Sequence, residues 1–289
     1  MKVVIAGASG LIGRQLLSCL ARDGHDAVVL GADWDAASVA NAGAVVDLSR
    51  QCQLDSINDL VDAMASLPPA DRPRAFLAWS SAAIYDGDSP DAITEATPVG
   101  RSAHARGWCG REAAAFAAEV LAVRVVTLRC GLIVPGGAHL VPALVARRLL
   151  GRSATWLPWV GLEDVVRLVV RAAHGWDIEG PLNVVAPQPV LVPRGAGLRA
   201  PGWVRRAATG GNAELLFESR HVWPVKALKA SYLFRQPSMP EVACRALGLP
   251  PAAGGYVIGG SAVVQTLAAT GPGRLDRRDP SSRSSARAA

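Results

Sequence analysis

The seven residues Gly7-Ala8-Ser9-Gly10-Leu11-Ile12-Gly13 lie between a short β-branched run, Lys2 to Ala6, and an apolar-periodic stretch, Leu11 to Ala21. No other feature of the chain limits its fold as much. A glycine turn that leaves a strand and opens a helix is built to seat a pyrophosphate. Gly7 takes the tight turn, Gly10 lets the backbone approach a phosphate, and Gly13 permits close packing of helix on strand. The helix N-terminus adds unpaired N–H groups and a partial positive charge. Strand, glycines and helix occur in the order a dinucleotide site needs, so Gly7, Ser9, Gly10, Leu11, Ile12 and Gly13 are the candidate cofactor contacts.

Asp33 stands twenty residues beyond Gly13, past a second strand at Ala27 to Leu30, where a carboxylate can accept hydrogen bonds from ribose hydroxyls. The alternative is a solvated loop aspartate in Asp33-Trp34-Asp35. No arginine at Gly31 or Ala32 favours a 2′-phosphate, so the expected cofactor is NAD or NADP with a lean to NAD.

Beyond the turn, Val45 and Val46 lie in a third apolar run, Ile57 to Leu67 has helical spacing, and Ala75 to Trp79 reads as a buried strand. Helix Arg111 to Leu121 leads into strand Arg124 to Leu128, and helix Leu162 to Ala173 feeds strand Leu182 to Val185. This alternation predicts an α/β fold, a Rossmann-type doubly wound parallel sheet. After Pro187 the rhythm breaks and resumes as helical patterns at Glu214 to Val222, Val225 to Ala230 and Pro240 to Leu247. The expected organisation is a nucleotide-binding domain over 1–187, a small C-terminal helical or mixed cap over 188–250, and an extension over 251–289, disordered from about residue 271.

Composition narrows the partners. Half of the net charge of +6 sits in the last nineteen residues, an Arg, Ser, Gly and Pro stretch with little to bury, and no basic, aromatic-interleaved face occurs elsewhere. Nucleic acid is therefore not expected. The longest apolar runs, Val165 to Ala173 and Tyr256 to Ala269, are interrupted by Arg167, Arg171 or Gln265 and fall short of the roughly 20 residues of a membrane span. Five scattered cysteines without C-x-x-C pairs suggest no disulfide framework or metal site, and a strand occupies the place of a signal peptide. A cytoplasmic protein acting on a small molecule is expected, with its oligomeric state open.

The G-x-x-G-x-x-G spacing, with Trp79-Ser80-Ser81-Ala82-Ala83-Ile84-Tyr85, resembles the extended short-chain dehydrogenase/reductase superfamily of NAD(P)-dependent epimerases and dehydratases. The segments Ser80 to Tyr85, Thr155 to Asp164, Gly180-Pro181-Leu182-Asn183 and Glu214 to Phe234 resemble, more narrowly, epimerase-family proteins with a DUF1731 C-terminal domain, over roughly residues 1 to 250. The wider superfamily uses a serine and a Tyr-x-x-x-Lys pair, in which the lysine charge lowers the tyrosine pKa. Ser81 matches the serine. The tyrosine should follow twenty to thirty residues later, yet the only tyrosines are Tyr85, Tyr232 and Tyr256, and no lysine lies between Lys2 and Lys226.

The stretch around His104, Cys109, Arg111 and Glu112 stands there instead and resembles the narrower family, which itself lacks that pair. Further departures are Gly161, where relatives often carry histidine, a short segment between the second strand and Val45, and an abbreviated stretch from Gln188 to Asn212. Ser81 and Tyr85 follow a strand at its carboxyl edge, where doubly wound folds bind ligands, and are the candidate catalytic residues. Strand-end capping and a half-buried phenol are their structural alternatives. The resemblance implies an NAD(P)-dependent oxidoreductase or epimerase/dehydratase-type enzyme. A dinucleotide-binding sensor or scaffold without turnover, and a non-redox isomerase or dehydratase, remain the alternatives.

Overall fold

The computed structural model describes residues 1–49, 54–88, 91–135, 140–175, 178–209 and 212–250. The extension 251–289, and with it the expected disorder from about residue 271, lies outside the described residues.

The amino-terminal half follows the hydrophobic pattern closely. β1 (Lys2–Ala6), α1 (Leu11–Arg22), β2 (Asp26–Val29), α2 (Ala36–Val39), β3 (Ala44–Asp47), α3 (Leu54–Ser66) and β4 (Ala75–Ser81) occur in that order. There follow α4 (Ala103–Phe116), β5 (Arg124–Cys130), β6 (Leu132–Val134), α5 (Val141–Leu150), β7 (Thr155–Leu157), β8 (Trp159–Gly161), α6 (Leu162–Ala173) and β9 (Gly180–Val184). The C-terminal part holds β10 (Val190–Val192), α7 (Gly202–Thr209), α8 (Ala213–Phe217), α9 (Val225–Lys229) and α10 (Glu241–Leu247).

Six strands form one parallel sheet in the order β2-β1-β3-β4-β5-β9. Both faces are covered, so consecutive strand residues are buried on alternate sides. Val3, Ile5, Val46, Leu77 and Leu128 join the core under α1 and α6, whereas Val4, Val45, Phe76 and Val125 join the core under α3 and α4. A third core packs Ile84, Trp108, Leu144, Trp159, Leu216 and Leu247 where α4, α5, α8 and α10 meet.

The usual doubly wound order is 3-2-1-4-5-6. Here the strand expected outside β2 is missing among the described residues, and the chain crosses from β2 to the far side of β1 through the four-residue helix α2. This is the short segment noted before Val45. The expected boundary at 187/188 falls between β9 and β10, but β10 pairs antiparallel with β7, and α9 packs on β9, so the C-terminal part is stitched to what precedes it.

Two helix expectations are corrected. α4 begins at Ala103 rather than near Arg111, because Ser102 caps it, its Oγ accepting from Ala105 N at 3.1 Å. Gly107 and Gly110 inside the helix hide its periodicity. The pattern Glu214 to Val222 is helical only through Phe217. Beyond it the buried Arg220 donates to the carbonyls of Tyr85 and Glu214, and Ile93 bridges Val222, which holds the segment extended. No helix among the described residues is long and apolar enough to cross a membrane.

Candidate functional site

Three glycines shape the turn, each for a different reason. Gly7 has φ +73°, and a Cβ there would meet Ser49 N at 2.9 Å; a Cβ on Gly13 would meet Ala8 O at 2.2 Å. Both are required by the fold itself. A Cβ on Gly10 would meet nothing within 4 Å, and Gly10 has φ −77°, so the fold does not demand glycine there and the missing side chain leaves the backbone open to a ligand. Gly10 is also the N-cap of α1, with no side-chain cap and no acidic residue in the first turn, which leaves the helix's opening N–H groups to an anion. These residues fit a dinucleotide pyrophosphate. Gly7, Gly10, Leu11, Ile12 and Gly13 line a lobe of about 280 Å³. Ser9 is exposed beside it, its carbonyl accepting from Arg14 Nη1 at 2.8 Å.

Ile12 and Ile133 line that lobe and also a second one of about 510 Å³, which runs under the C-terminal part past Trp79, Ser80, Ser81 and Trp108. The two lobes make one cleft along the carboxyl ends of the strands. A wider depression of about 820 Å³ lies between α1, α6 and residues 231–235 and touches neither the glycine turn nor Ser81. Ser81 opens the second lobe. Its Oγ accepts from Ala83 N at 3.1 Å, which uses a lone pair and leaves the O–H proton to donate.

Tyr85 is placed differently. Its hydroxyl donates to Asn183 Oδ1 at 2.8 Å and accepts from Arg129 Nη1 at 2.9 Å, the residue is 1% exposed, and it lines neither lobe. Burial, opposed by Arg129, pushes the phenol up to about 12. Asp33 is exposed in the turn after β2 and also lines neither lobe. The structure therefore brings the glycine turn and Ser81 to one cleft and does not bring Tyr85 or Asp33 there.

Behind Ser81 lies a buried polar network that the sequence did not reveal. Ser80 Oγ donates to Glu112 Oε1 at 2.7 Å, and Arg129 donates to both Glu112 oxygens at 2.9 and 2.7 Å. Burial alone would lower the Arg129 pKa, but Glu112 and Tyr85 hold it above its ordinary value. Asn183 Nδ2 continues to Trp223 O at 3.0 Å, and Trp223 Nε1 donates to His221 Nε2 at 3.1 Å. Burial pushes the His221 imidazole down to about 4, and its ring stacks on Trp156 at 4.2 Å. An alternation pattern for Glu112 on α4 against Arg129 on β5 would have pointed to the pair only if their register were known.

Arg111, in the stretch that stands in place of the missing pair, is 1% exposed, paired with buried Asp47, and donates to Ser49 Oγ at 2.8 Å and Trp79 O at 3.0 Å. Asp164, fully buried at the start of α6, accepts from Tyr232 Oη at 3.0 Å and from the backbone N–H groups of Arg235 and Gln236 at 2.8 Å. The side chain of Gln236 fills the space beside Gly161, where an added Cβ would lie 2.1 Å from its Oε1.

No family model matches the chain. It is 24% identical to the chloroplastic epimerase family protein SDR39U1 homologue of Arabidopsis thaliana, over 81% of this chain and 83% of that protein. Among solved structures it is similar to the human epimerase family protein SDR39U1 (isoform 2) with NADPH, at TM-score 0.65 and 20% identity over 86% of this chain and 99% of that one. It is also similar to a short-chain dehydrogenase/reductase superfamily protein of Agrobacterium tumefaciens with bound NAD, at TM-score 0.60 and 15% identity over 93% and 99%. The sheet order of the chain agrees with the fold of these solved structures, and in sequence the chain is similar to proteins named epimerase family protein.

Proposed function

We propose that the chain binds NAD or NADP along the cleft and acts there as an oxidoreductase or epimerase/dehydratase-type enzyme on a small molecule. One observation carries this reading: Gly10, open to the cleft, and Ser81 lie along a single groove that shares Ile12 and Ile133. When bound, the nicotinamide supplies or accepts hydride. Gly7, Gly10 and Gly13 with the start of α1 hold the pyrophosphate, and the Ser81 hydroxyl polarises a substrate oxygen. Tyr85 acts from behind, holding Arg129 and Asn183 in place. The cap belongs to the DUF1731 type on the motifs from Glu214 to Phe234, and the protein works in the cytoplasm. Asp33 favours NAD, while the two similar solved structures were obtained with NADPH and with NAD.

Titration with NADH and NADPH, followed by nicotinamide fluorescence, tests the cofactor. Gly10→Leu should weaken binding at least about a hundredfold while lowering Tm by only a few degrees, since the new side chain enters the cleft and the remaining cost is that of a poorer N-cap on α1. Absence of saturable binding to the wild type would sink the proposal. Ser81→Ala should spare binding and, once a substrate is found, lower kcat about 10²-fold or more. A dinucleotide-binding sensor without turnover is the second reading, favoured by the Tyr85 hydroxyl being closed into its network and by the lack of lysine between Lys2 and Lys226.

A further inference from the structure

Ser81 can polarise an oxygen, but hydride transfer also needs a group that takes or gives the proton on that oxygen. Two residues one turn apart on α4 line the same lobe as Ser81, namely His104 and Trp108. His104 follows Ser81 by twenty-three residues, inside the interval where the superfamily tyrosine belongs, and Trp108 follows it at the spacing of the missing lysine. His104 Nδ1 lies 3.4 Å from Glu214 Oε1 on α8, and these side chains are 34% and 13% exposed. A carboxylate on one ring nitrogen fixes the tautomer and orientation of an imidazole. The Trp108 indole N–H is buried against the lobe and has no hydrogen-bond partner among the described residues. A buried indole N–H ordinarily has one.

The other titratable or charged groups lining this lobe are Arg206 of α7, 3.5 Å from the same Glu214 oxygen, and Cys130 of β5, whose thiol burial pushes up. Arg206 is 70% exposed and shares Glu214 with His104.

Resting on the nicotinamide reading above, we propose that His104 and Trp108 take the place of the Tyr-x-x-x-Lys pair. His104, oriented by Glu214 from the cap, is the catalytic acid/base, and the Trp108 N–H donates to an acceptor oxygen of the dinucleotide. In the oxidising direction the substrate C–H leaves as hydride to the oxidised nicotinamide, and the O–H proton passes to neutral His104. The C–O bond becomes C=O, leaving a carbonyl product, reduced nicotinamide and imidazolium. The reverse sequence reduces a carbonyl. Docking of the C-terminal part then completes the site, because Glu214 comes from it and His104 does not.

The full chain holds five imidazoles, His25, His104, His139, His174 and His221, and NMR titration with His104→Asn to identify the signal gives the His104 pKa. Fluorescence titration first identifies the tighter-binding dinucleotide; if neither NADH nor NADPH binds, the cofactor reading falls and takes this proposal with it. In the wild type, the His104 pKa should be lower by about half a unit or more with the oxidised than with the reduced dinucleotide, since only the oxidised ring is positive beside the imidazole. Equal values in the two complexes overturn the acid/base role and leave the cofactor reading standing. Glu214→Gln should lower the His104 pKa of the free protein by a similar amount, and an unchanged value overturns the orienting role. Trp108→Phe should weaken dinucleotide binding about three- to tenfold; unchanged affinity overturns the role of its N–H. Should either variant fail to fold, the wild-type comparison alone decides.

Discussion

The two ends of the cleft are built in opposite ways. The glycine-turn end uses seven consecutive residues and mostly backbone, and its shape is fixed by what glycine allows at residues 7 and 13. The Ser81 end is backed by side chains drawn from residues 80 to 223, joined through Glu112, Arg129, Tyr85, Asn183 and Trp223. At the first end one residue, Gly10, is left open by the fold. At the second the fold itself explains each group, and Ser81 is backed by a buried charge pair. The first end therefore has one position, Gly10, that can change at small cost to stability, and the second has none among the network residues.

Arg129→Ala puts that difference to its hardest trial. It leaves the Glu112 carboxylate buried without its cation and should cost about 3–5 kcal/mol, seen as a fall in Tm of about 8 °C or more. A loss under about 1 kcal/mol would show that the network is not a structural unit and would erase the contrast with Gly10→Leu. The same end should also respond to acid. His221 titrates in the fold at about 4, below the ordinary value of about 6.5, so the unfolded chain binds its proton first. Its contribution, up to about 3 kcal/mol, is present above pH 6.5 or so and is lost as pH falls toward 4. Urea unfolding of the wild type and His221→Phe across that range should show the slope flatten in the variant; parallel curves would refute the assignment. The smallest effect is expected at the other end, where Asp33→Asn should change the ratio of NADH to NADPH affinity only about threefold, because the residue is exposed and outside both lobes. A change of a hundredfold would mean that the turn after β2 closes on the cofactor.

This division also decides what could be read from sequence. Strand β1, the glycine turn and α1 are dictated by near neighbours, so Lys2–Ala6 and the start at Leu11 follow from the pattern alone. Helix α6 is equally plain because Val165, Leu168, Val169 and Ala172 repeat at helical spacing. The surroundings that the sequence left open depend on distant partners. Arg111 meets Asp47 of β3, and Tyr85, a catalytic candidate at a strand end, has its hydroxyl held by Arg129 of β5 and Asn183 of β9. His104 stood in the stretch that replaces the missing pair, but its carboxylate arrives from 110 positions further on. Local rules carry no information about such encounters.

The missing outer strand reaches beyond the nucleotide site. Among the described residues β2 pairs only with β1, so the opposite row of its backbone N–H and C=O groups is a template on which a foreign strand can be copied. The chain limits that template by its brevity: β2 has four residues and passes at once into the Gly31 to Trp34 turn. Substitutions that straighten this turn would lengthen the template and convert a tolerated edge into a seed for self-association.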